Sequence, residues 1–388
     1  MLVHAFTHSL ESGWSVDSFP DVDSPNTLVM VFGASDYWDA PEALEALDQA
    51  FPEAIKIGCS TAGEIFGASI TDSSLVVSVV KFERTQLRFA ISPVRIESSY
   101  HACDALAEQL LSDDSDAAMA SDLKAVFLLS DGLQVNGSVL VQSLSEKLGD
   151  AVSMSGGLAG DGSRFERTWT WSGGKPMRGM VVAVGFYGDD VEFNHGSYGG
   201  WNTFGPERLI TRASSSTLYE LDGQPALDLY KHYLGEYAKD LPSSGLLFPL
   251  AIRSNRDDEE QTVRTILAVD EAKKAIVFAG SMPEGHYAQL MTANFDQLID
   301  GANKAANQLI EVMEHGRPGI LIGISCVGRR LLLGERAEEE LEAVLEAMPQ
   351  QQPVFIGFHS YGEISPNMTN VHCSLKNQTM TLTWLSER

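Results

Sequence analysis

Continuous apolar runs alternate with helical patterns along the chain. Leu28 to Phe32 is apolar at every position, which is typical of a strand covered on both faces. Ala54 to Ile57 indicates a second strand, and Pro41 to Phe51 between them repeats apolar side chains at helical spacing. This order, a strand, a polar loop, a helix and a strand, defines a unit.

The same unit recurs in two later segments. In each, two apolar strands flank a helical pattern; the segments in chain order are Ala125 to Leu129, Ser138 to Leu148, Ala151 to Met154, Ile320 to Ile324, Glu335 to Met348 and Pro353 to Phe358. In the third unit a loop is predicted to run to Gly334. Such units require right-handed crossovers onto partly parallel sheets.

Further β-rich segments lie between the units. Leu75 to Phe82 with Gln86 to Ser92, and Thr168 to Trp171 with Met180 to Tyr187, are predicted as hairpin-like pairs. Leu111 to Asp122, rich in Asp, Ser and Ala, is predicted as a solvated loop or helix end. The fold class is therefore α/β with mixed sheets.

A chain of 388 residues with 44% apolar content exceeds one typical core, so two domains are expected. Polar Ser214 to Ser216 precedes a turn at Leu221 to Pro225 that opens a helix. We place the boundary there, giving domains 1–215 and 216–388. Each carries at least one copy of the unit.

One turn motif, I-G-x-x-x-x-G-E-I, appears near both ends of the chain. It spans Ile57 to Ile65 and Ile356 to Ile364, and a weaker copy spans Met154 to Asp161. A repeat of this kind is usually one supersecondary unit that needs its siblings. The copies differ at His359, whose counterpart in the first copy is Ser60.

Composition excludes several function classes. A net charge of −26 argues against nucleic acid, which needs clustered Lys and Arg, and disfavours anionic membrane surfaces. There is no apolar run of 18 residues and no signal-peptide pattern at the N-terminus. The four cysteines are far apart, which suggests neither zinc nor disulfides. A reducing cytoplasm is the expected compartment.

No familiar catalytic signature is present. Glu64 and Glu363 could form a carboxylate pair that splits acid and base roles. The alternative is that each accepts hydrogen bonds from its own turn. Cys59 would need a neighbouring base or cation to act as a nucleophile, and the spacing shows none. The chain is therefore expected not to be an enzyme.

Binding candidates concentrate at strand ends. His359 ends a buried strand at a Gly-rich turn, where open α/β sheets place ligands. His195 and His286 also fall at predicted strand ends or loops. Arg329 and Arg330 follow another strand, where they could hold a ligand carboxylate or form a buried ion pair.

The order and spacing of these motifs resemble the FIST sensory family over nearly the whole chain. The segments that carry the resemblance are Ile57 to Ile65, Gly156 to Asp161, Leu221 to Ala226, Ser325 to Arg330 and Gly357 to Ile364. The resemblance implies an N-terminal and a C-terminal FIST domain. It also implies a sensory module that binds a small ligand.

The chain is similar in size to a stand-alone, nitric-oxide-sensing branch of that family, whose members bind haem b and regulate a histidine kinase in trans. This similarity implies haem as cofactor, with His359 as the axial metal ligand. His195, His286, Tyr361, Gly362, Glu363, Arg329 and Arg330 are further candidate contacts. A homo-oligomer is compatible with the sequence.

Two other functions remain open. One is a FIST sensor for an amino-acid-like metabolite without haem, in which Arg329, Arg330 and the amides of the Gly-rich turns bind the ligand. The other is an enzyme that uses Cys59 or the pair formed by Glu64 and Glu363. The colour of the purified protein would distinguish the haem protein from both.

Overall fold

The computed structural model describes residues 1–112, 123–258, 261–314, 316–348, 353–366 and 372–388. Beyond Ser112, the loop predicted from Leu111 to Asp122 lies outside the described residues. Strands and helices form a mixed α/β structure, as the sequence predicts.

The strands in chain order are β1 (Leu2–Ser9), β2 (Gly13–Trp14), β3 (Thr27–Gly33), β4 (Ile55–Ser60), β5 (Glu64–Phe66), β6 (Ser69–Thr71), β7 (Ser74–Lys81), β8 (Gln86–Pro93), β9 (Leu123–Ser130), β10 (Ser153–Leu158), β11 (Thr170–Trp171), β12 (Met180–Tyr187), β13 (Val191–Tyr198), β14 (Asn202–Ser214), β15 (Thr217–Leu221), β16 (Gln224–Pro225), β17 (Leu250–Arg253), β18 (Thr262–Arg264), β19 (Ile266–Asp270), β20 (Ala275–Phe278), β21 (Tyr287–Thr292), β22 (Gly319–Cys326), β23 (Val354–Ser360), β24 (Gly362–Pro366), β25 (Cys373–Lys376) and β26 (Met380–Glu387). The helices are α1 (Glu42–Ala50), α2 (Ser99–Leu111), α3 (Gly137–Leu148), α4 (Ala226–Leu234), α5 (Phe295–Val312), α6 (Val327–Leu333) and α7 (Ala337–Ala347).

Three sheets repeat one plan. At the centre of each is a parallel pair: β3 and β4 in the first unit, β9 and β10 in the second, β22 and β23 in the third. An antiparallel strand lies beside the first member of each pair, namely β7, β12 or β26. A further antiparallel strand follows, namely β1, β8 or β13. The three predicted units are therefore confirmed.

The units also exchange strands in a ring. The first unit supplies β5, which pairs with β23 of the third. The third supplies β24, which pairs with β10 of the second, and the second supplies β11, which pairs with β4 of the first. The exchange joins residues from both ends of the chain in shared sheets.

Backbone hydrogen bonds close this ring where the central strands end. They join equivalent positions of neighbouring units: Ala62 N to His359 O (2.8 Å), Gly160 N to Ser60 O (2.9 Å) and Tyr361 N to Leu158 O (3.2 Å). Ser60, Leu158 and His359 therefore occupy equivalent places at the ends of the central strands.

Steric crowding requires a glycine at the second position of the motif and at its counterpart in the weaker copy. A Cβ on Gly357 would lie 1.8 Å from the carbonyl oxygen of Gly323 on the neighbouring strand. At Gly156 it would lie 1.8 Å from the oxygen of Leu128, and φ there is +146°. Only glycine lets the paired strands approach so closely. The repeated motif is thus a packing requirement.

A fourth sheet, formed by residues 202–292, is inserted between β13 and α5 of the third unit. Its strands run in the order β18-β17-β21-β14-β15-β20-β19, and β16 pairs with β15. Leu227 and Tyr230 of α4 pack into the same apolar core as Ile276 and Phe278. Residue 215 lies in the turn between β14 and β15; the domain boundary predicted there stays a prediction.

Three local predictions were wrong. Strand β7 does not form a hairpin with β8, because it pairs with β1 and β3 while β8 pairs with β12. Strand β11 pairs with β4 rather than with β12. The loop predicted to run to Gly334 contains α6. The pattern of apolar residues in a strand determines which of its faces is buried, but it does not determine which strand pairs with it. In the ring, several strands pair with strands that are distant in sequence.

Candidate functional site

A cavity of about 400 Å³ opens between the second unit, the third unit and the fourth sheet. The loop after β9, from Gly132 to Gly137, and Leu158 at the end of β10 form one side. Cys326 at the end of β22 and the start of α6 form another, and Thr265 to Leu267 of the fourth sheet close it. Carboxyl ends of parallel strands are where α/β proteins bind ligands.

The wall of this cavity is uncharged. Its side chains, as far as the structure describes them, include no Lys, Arg, Asp, Glu or His. The volume falls within the roughly 300–1,000 Å³ of small-molecule pockets. Four wall residues are large exposed hydrophobics: Ile96 (53%), Phe165 (42%), Leu267 (43%) and Leu331 (45%). Exposed apolar side chains around a pocket indicate a surface that binds an apolar ligand.

Two polar wall side chains have no hydrogen-bond partner for an oxygen among the described residues. Thr265 is 4% exposed and its Oγ1 is unpaired; Asn377 is 1% exposed and its Oδ1 is unpaired. The amide of the next residue, Gln378, is also unpaired and packs against Gly328 of the wall. Buried polar groups in folded proteins are almost always paired, so these side chains are exceptions among the described residues.

One carboxylate fixes the conformation of the loop after β10, which lies beside the cavity. Asp161 accepts hydrogen bonds from the backbone N–H groups of Phe165 (2.9 Å), Glu166 (2.9 Å) and Arg167 (2.8 Å). The Tyr361 hydroxyl donates to the same carboxylate. Phe165, at a φ of 55°, stacks on Tyr361 with ring centroids 4.5 Å apart. The loop therefore holds two aromatic rings on the wall.

Tyr361 is the sequence-predicted candidate that the structure places on this cavity. Burial, followed by the hydrogen bond to Asp161, raises the pKa of its phenol. Tyr361 therefore stays protonated at neutral pH and acts as a hydrogen-bond donor. Gly362, the next residue, begins β24 and pairs with Leu158.

His359 lies beside the cavity residues in sequence but does not belong to the wall. It is 0% exposed, and neither ring nitrogen has a hydrogen-bond partner among the described residues. Burial lowers the pKa of His359 to about 3, with a smaller contribution from the Arg330 charge. The imidazole is therefore neutral at physiological pH.

The other two histidines lie elsewhere. His195, in β13, contacts the Ser153 hydroxyl through Nε2 (2.8 Å) and the Thr383 hydroxyl through Nδ1 (3.3 Å). Burial lowers its pKa to about 3. His286 is partly buried in the loop before β21. Within the described ranges, no cluster of three or more His, Cys, Asp or Glu side chains could hold a metal ion.

Arg329 is fully buried and its guanidinium is occupied by protein partners. Its Nε donates to Glu340 (2.7 Å), and its terminal nitrogens donate to the carbonyls of Leu298 (2.7 Å) and Gln378 (3.1 Å). Glu340 is itself fully buried. This is the ion pair that the sequence left open as one of two roles for Arg329.

Arg330 forms a different contact. It pairs bidentately with Asp72 at 2.8 and 2.7 Å and donates to the carbonyl of Ala62 at 2.5 Å. A Cβ on Gly63 would lie 2.1 Å from the Arg330 guanidinium, so the turn and the arginine are closely packed. Arg330 joins the third unit to the first and does not line the cavity.

The two motif glutamates have equivalent surroundings. Glu64 accepts from the hydroxyls of Thr61 (2.5 Å) and Ser74 (2.8 Å). Glu363 accepts from the hydroxyls of Ser360 (3.0 Å) and Thr379 (2.8 Å). Burial raises the pKa of each carboxyl to about 7, although the hydrogen bonds act in the opposite direction. Each glutamate thus closes its own turn.

Cys59 offers no reactive thiol. It is fully buried, and burial raises its pKa well above the ordinary value. A nucleophilic cysteine needs a lowered pKa and access to substrate. Its neighbourhood supplies neither.

The architecture is thus a ring of three α/β units with an inserted sheet and a ligand-sized cavity. Residues 27–224 match the FIST N domain and residues 226–366 match the FIST C domain. The chain belongs to the FIST family, as its motifs suggest. Membership indicates a sensory role that involves binding a small ligand.

The chain has distant similarity to individual proteins. An uncharacterized protein of Methanocaldococcus jannaschii is 22% identical over 340 residues, which cover 83% of this chain and 62% of that protein. The chain therefore spans less than two thirds of the length of this relative. A solved structure of T. maritima PurL complexed with FGAR is 9% identical and covers 99% of this chain and 72% of that one, with a TM-score of 0.19. A score that low does not indicate a shared fold.

Across the described part of the chain, every helix is too short or too polar to cross a membrane.

Proposed function

We propose that the protein is a sensor that binds a small, uncharged and largely apolar molecule in the cavity. The observation that carries the proposal is that the wall of the cavity has no charged side chain. The cavity has a volume of about 400 Å³ and lies at the carboxyl ends of β9, β10 and β22. An ion placed against such a wall would lose its hydration without gaining a counter-charge. A zwitterionic amino acid fits this wall less well, and Arg329 and Arg330 are engaged elsewhere.

The position of the cavity supports a sensory role. Its wall combines residues from two units of the ring and from the fourth sheet. A ligand that fills the space contacts all three bodies at once. It therefore favours whichever arrangement of those bodies forms the best contacts, and this differential affinity shifts the conformational population.

Filling the cavity should weaken the binding of a neutral apolar probe. N-phenyl-1-naphthylamine is expected to gain fluorescence with the wild-type protein. Ala279→Trp places an indole on the cavity wall and is expected to weaken that binding at least about tenfold. Fluorescence titration measures the effect, and circular dichroism checks that the variant is folded.

Ala268→Trp is the matched control. Ala268 lies on the same sheet but is exposed and does not belong to the wall. Its titration should match that of the wild type. Equal binding by the wild type and Ala279→Trp would place the probe outside the cavity and contradict the proposal.

A second candidate is the haem-binding sensor of nitric oxide that acts on a histidine kinase in trans. One observation favours it: both ring nitrogens of His359 are buried and have no hydrogen-bond partner in the described part of the chain, and the imidazole is neutral. Iron prefers a neutral imidazole. However, His359 has no exposed surface and does not line the cavity. Haem in the cavity itself does not fit, since its wall offers Cys326 and Tyr361, both with raised pKa values.

This candidate predicts a specific spectroscopic result. Protein titrated with haemin should show a Soret band that shifts when nitric oxide is added. His359→Ala should lose the band, while His195→Ala and His286→Ala should keep it. A spectrum unchanged in all three variants would contradict the assignment of His359. A cytoplasmic location belongs to the same prediction.

A further inference from the structure

We propose that the ligand of the cavity is a planar aromatic molecule that stacks on the ring of Phe165, and that Asp161 holds this ring in position. The inference rests on the proposed function and names the class of ligand. It follows from an exposed aromatic ring that lies on the cavity wall and is fixed there by the loop after β10.

One face of the Phe165 ring is covered, and the rest of the ring is open. Phe165 stacks on Tyr361 with ring centroids 4.5 Å apart and ring planes inclined by 16°. Both residues line the cavity, but Tyr361 is 7% exposed whereas Phe165 is 42% exposed. Because Tyr361 covers one face of Phe165, the exposed area of its ring belongs to the edge and the other face. That surface is available to a second flat ring.

The backbone of Phe165 has a conformation that a large side chain rarely adopts. Its φ of 55° lies in the left-handed region. The other described non-glycine residues with positive φ all have polar side chains, namely Ser73, Ser215, Asp222, Lys274 and Gln378. Unfavourable backbone conformations that the surrounding structure maintains cluster at ligand and active sites. The fold therefore holds this ring at the cavity against the local preference of the chain.

Hydrogen bonds fix the loop on both sides of Phe165. Asp161 accepts from the backbone N–H of Phe165 itself and from those of the two residues that follow it. On the other side, Arg164 donates to the carbonyl of Asp161 at 2.9 Å and to the hydroxyl of Ser35 in the first unit at 2.8 Å. A ring that is already held in place loses little freedom when a ligand binds to it. Phe165 is thus a preorganised stacking surface.

The composition of the wall suits a flat aromatic ligand. Such a molecule has two apolar faces and carries any polar substituents at its edge. The wall combines buried apolar residues such as Leu158 and Phe278 with uncharged polar side chains, namely Asn136, Ser163, Ser215, Ser216 and Ser243. Aromatic rings attract each other in offset stacks beyond the effect of the area they bury. A saturated ring of the same skeleton gains the burial but lacks this attraction.

Two bicyclic alcohols separate stacking from burial. 2-Naphthol is flat and aromatic, whereas trans-2-decalol has the same carbon skeleton but is saturated. We expect the wild-type protein to bind 2-naphthol about three- to tenfold more tightly, which is the effect of one aromatic pair. In Phe165→Leu the two affinities should become equal, while binding of trans-2-decalol is retained. Isothermal titration calorimetry measures both, and circular dichroism checks the fold.

Two further variants test the position of the ring. Phe295 is also 42% exposed and lies outside the wall, so Phe295→Leu should keep the full preference for 2-naphthol. Asp161→Asn keeps Phe165 but replaces the oxygen that accepts from Glu166 and Arg167. This variant should show a reduced preference with unchanged binding of trans-2-decalol. A loss of stability alone would not change that ratio.

The outcomes of these titrations are distinguishable. Equal wild-type affinity for the two alcohols would overturn the inference and leave the proposed function intact. A preference that survives in Phe165→Leu would assign the stacking to another ring and would also overturn it. An unchanged preference in Asp161→Asn would remove the role given to Asp161. Failure of both alcohols to bind the wild type would instead count against the proposed function.

Discussion

Arg329→Met is expected to lower the free energy of unfolding by about 3–5 kcal/mol, the loss found when one partner of a buried ion pair is removed. The guanidinium and the Glu340 carboxylate are both fully buried. Without Arg329, the carboxylate keeps, among the described residues, the Ser325 hydroxyl at 3.1 Å as its one hydrogen-bond donor. The carbonyls of Leu298 and Gln378 lose donors as well. Denaturation at neutral pH measures the effect.

Arg330→Met is the neighbouring control. Its ion pair with Asp72 has good geometry, but the two side chains are 22% and 70% exposed. Exposed pairs of this kind contribute about 0–1 kcal/mol. Equal losses in the two variants would show that Arg329 is not the anchor we infer. Adding Glu340→Met to Arg329→Met should recover much of the stability, because it removes the unpaired buried charge.

The same two arginines show how far the sequence could be interpreted. Both follow β22, and neither their residue type nor their position in the sequence distinguishes one from the other. Their burial differs because Arg329 faces partners contributed by α5, α7 and the turn before β26. Those contacts are set by tertiary packing, which no local pattern encodes. A choice between ligand binding and ion pairing therefore required the fold.

Elements of the three units were predictable because their signals are local. Apolar runs such as Leu28 to Phe32 mark buried strands wherever those strands pair. The ring is different, since β5 has three residues and pairs with β23 almost at the other end of the chain. Short strands carry little pattern, and their partners are fixed by how whole units pack. The strand exchange was therefore missed.

The cavity also could not be predicted from the sequence. Thr265 and Asn377 belong to no motif, and they line one cavity because the inserted sheet packs against the ring. The I-G-x-x-x-x-G-E-I motif did mark turns at which central strands end, and it pointed to the asymmetry between Ser60 and His359. The backbone hydrogen bonds add Leu158 as the equivalent residue of the second unit, and Leu158 lines the cavity.

His359→Leu is expected to make the protein more resistant to acid. Burial holds the pKa of His359 at about 3, below the 6.5 of an ordinary histidine. The neutral ring therefore contributes stability that is fully present above pH ~6.5 and is lost as the pH falls towards ~3. The loss amounts to about 1.4 kcal/mol per pH unit, or roughly 3 kcal/mol at pH 4. Leucine does not titrate and leaves no unpaired ring nitrogen.

Comparison between variants isolates this effect from other titrations. The raised pKa of Glu64 and Glu363, about 7, acts in the opposite sense. Their contribution is greatest below pH ~4.5 and is lost as the pH rises to ~7. Both glutamates remain in every variant, so their effect cancels in the difference between wild type and His359→Leu. That difference, measured by denaturation from pH 7 to pH 4, should widen steadily in favour of the variant.

His195→Leu provides the matched contrast. Its imidazole has the same lowered pKa, about 3, so its replacement should flatten the acid response in the same way. At pH 7, however, it should be destabilising, because His195 contacts the hydroxyls of Ser153 and Thr383. The His359 ring has no such partners in the ranges that the structure describes, and its replacement should be neutral or stabilising at that pH. Curves for wild type and His359→Leu that stay parallel down to pH 4 would mean that the ring is not held neutral by burial.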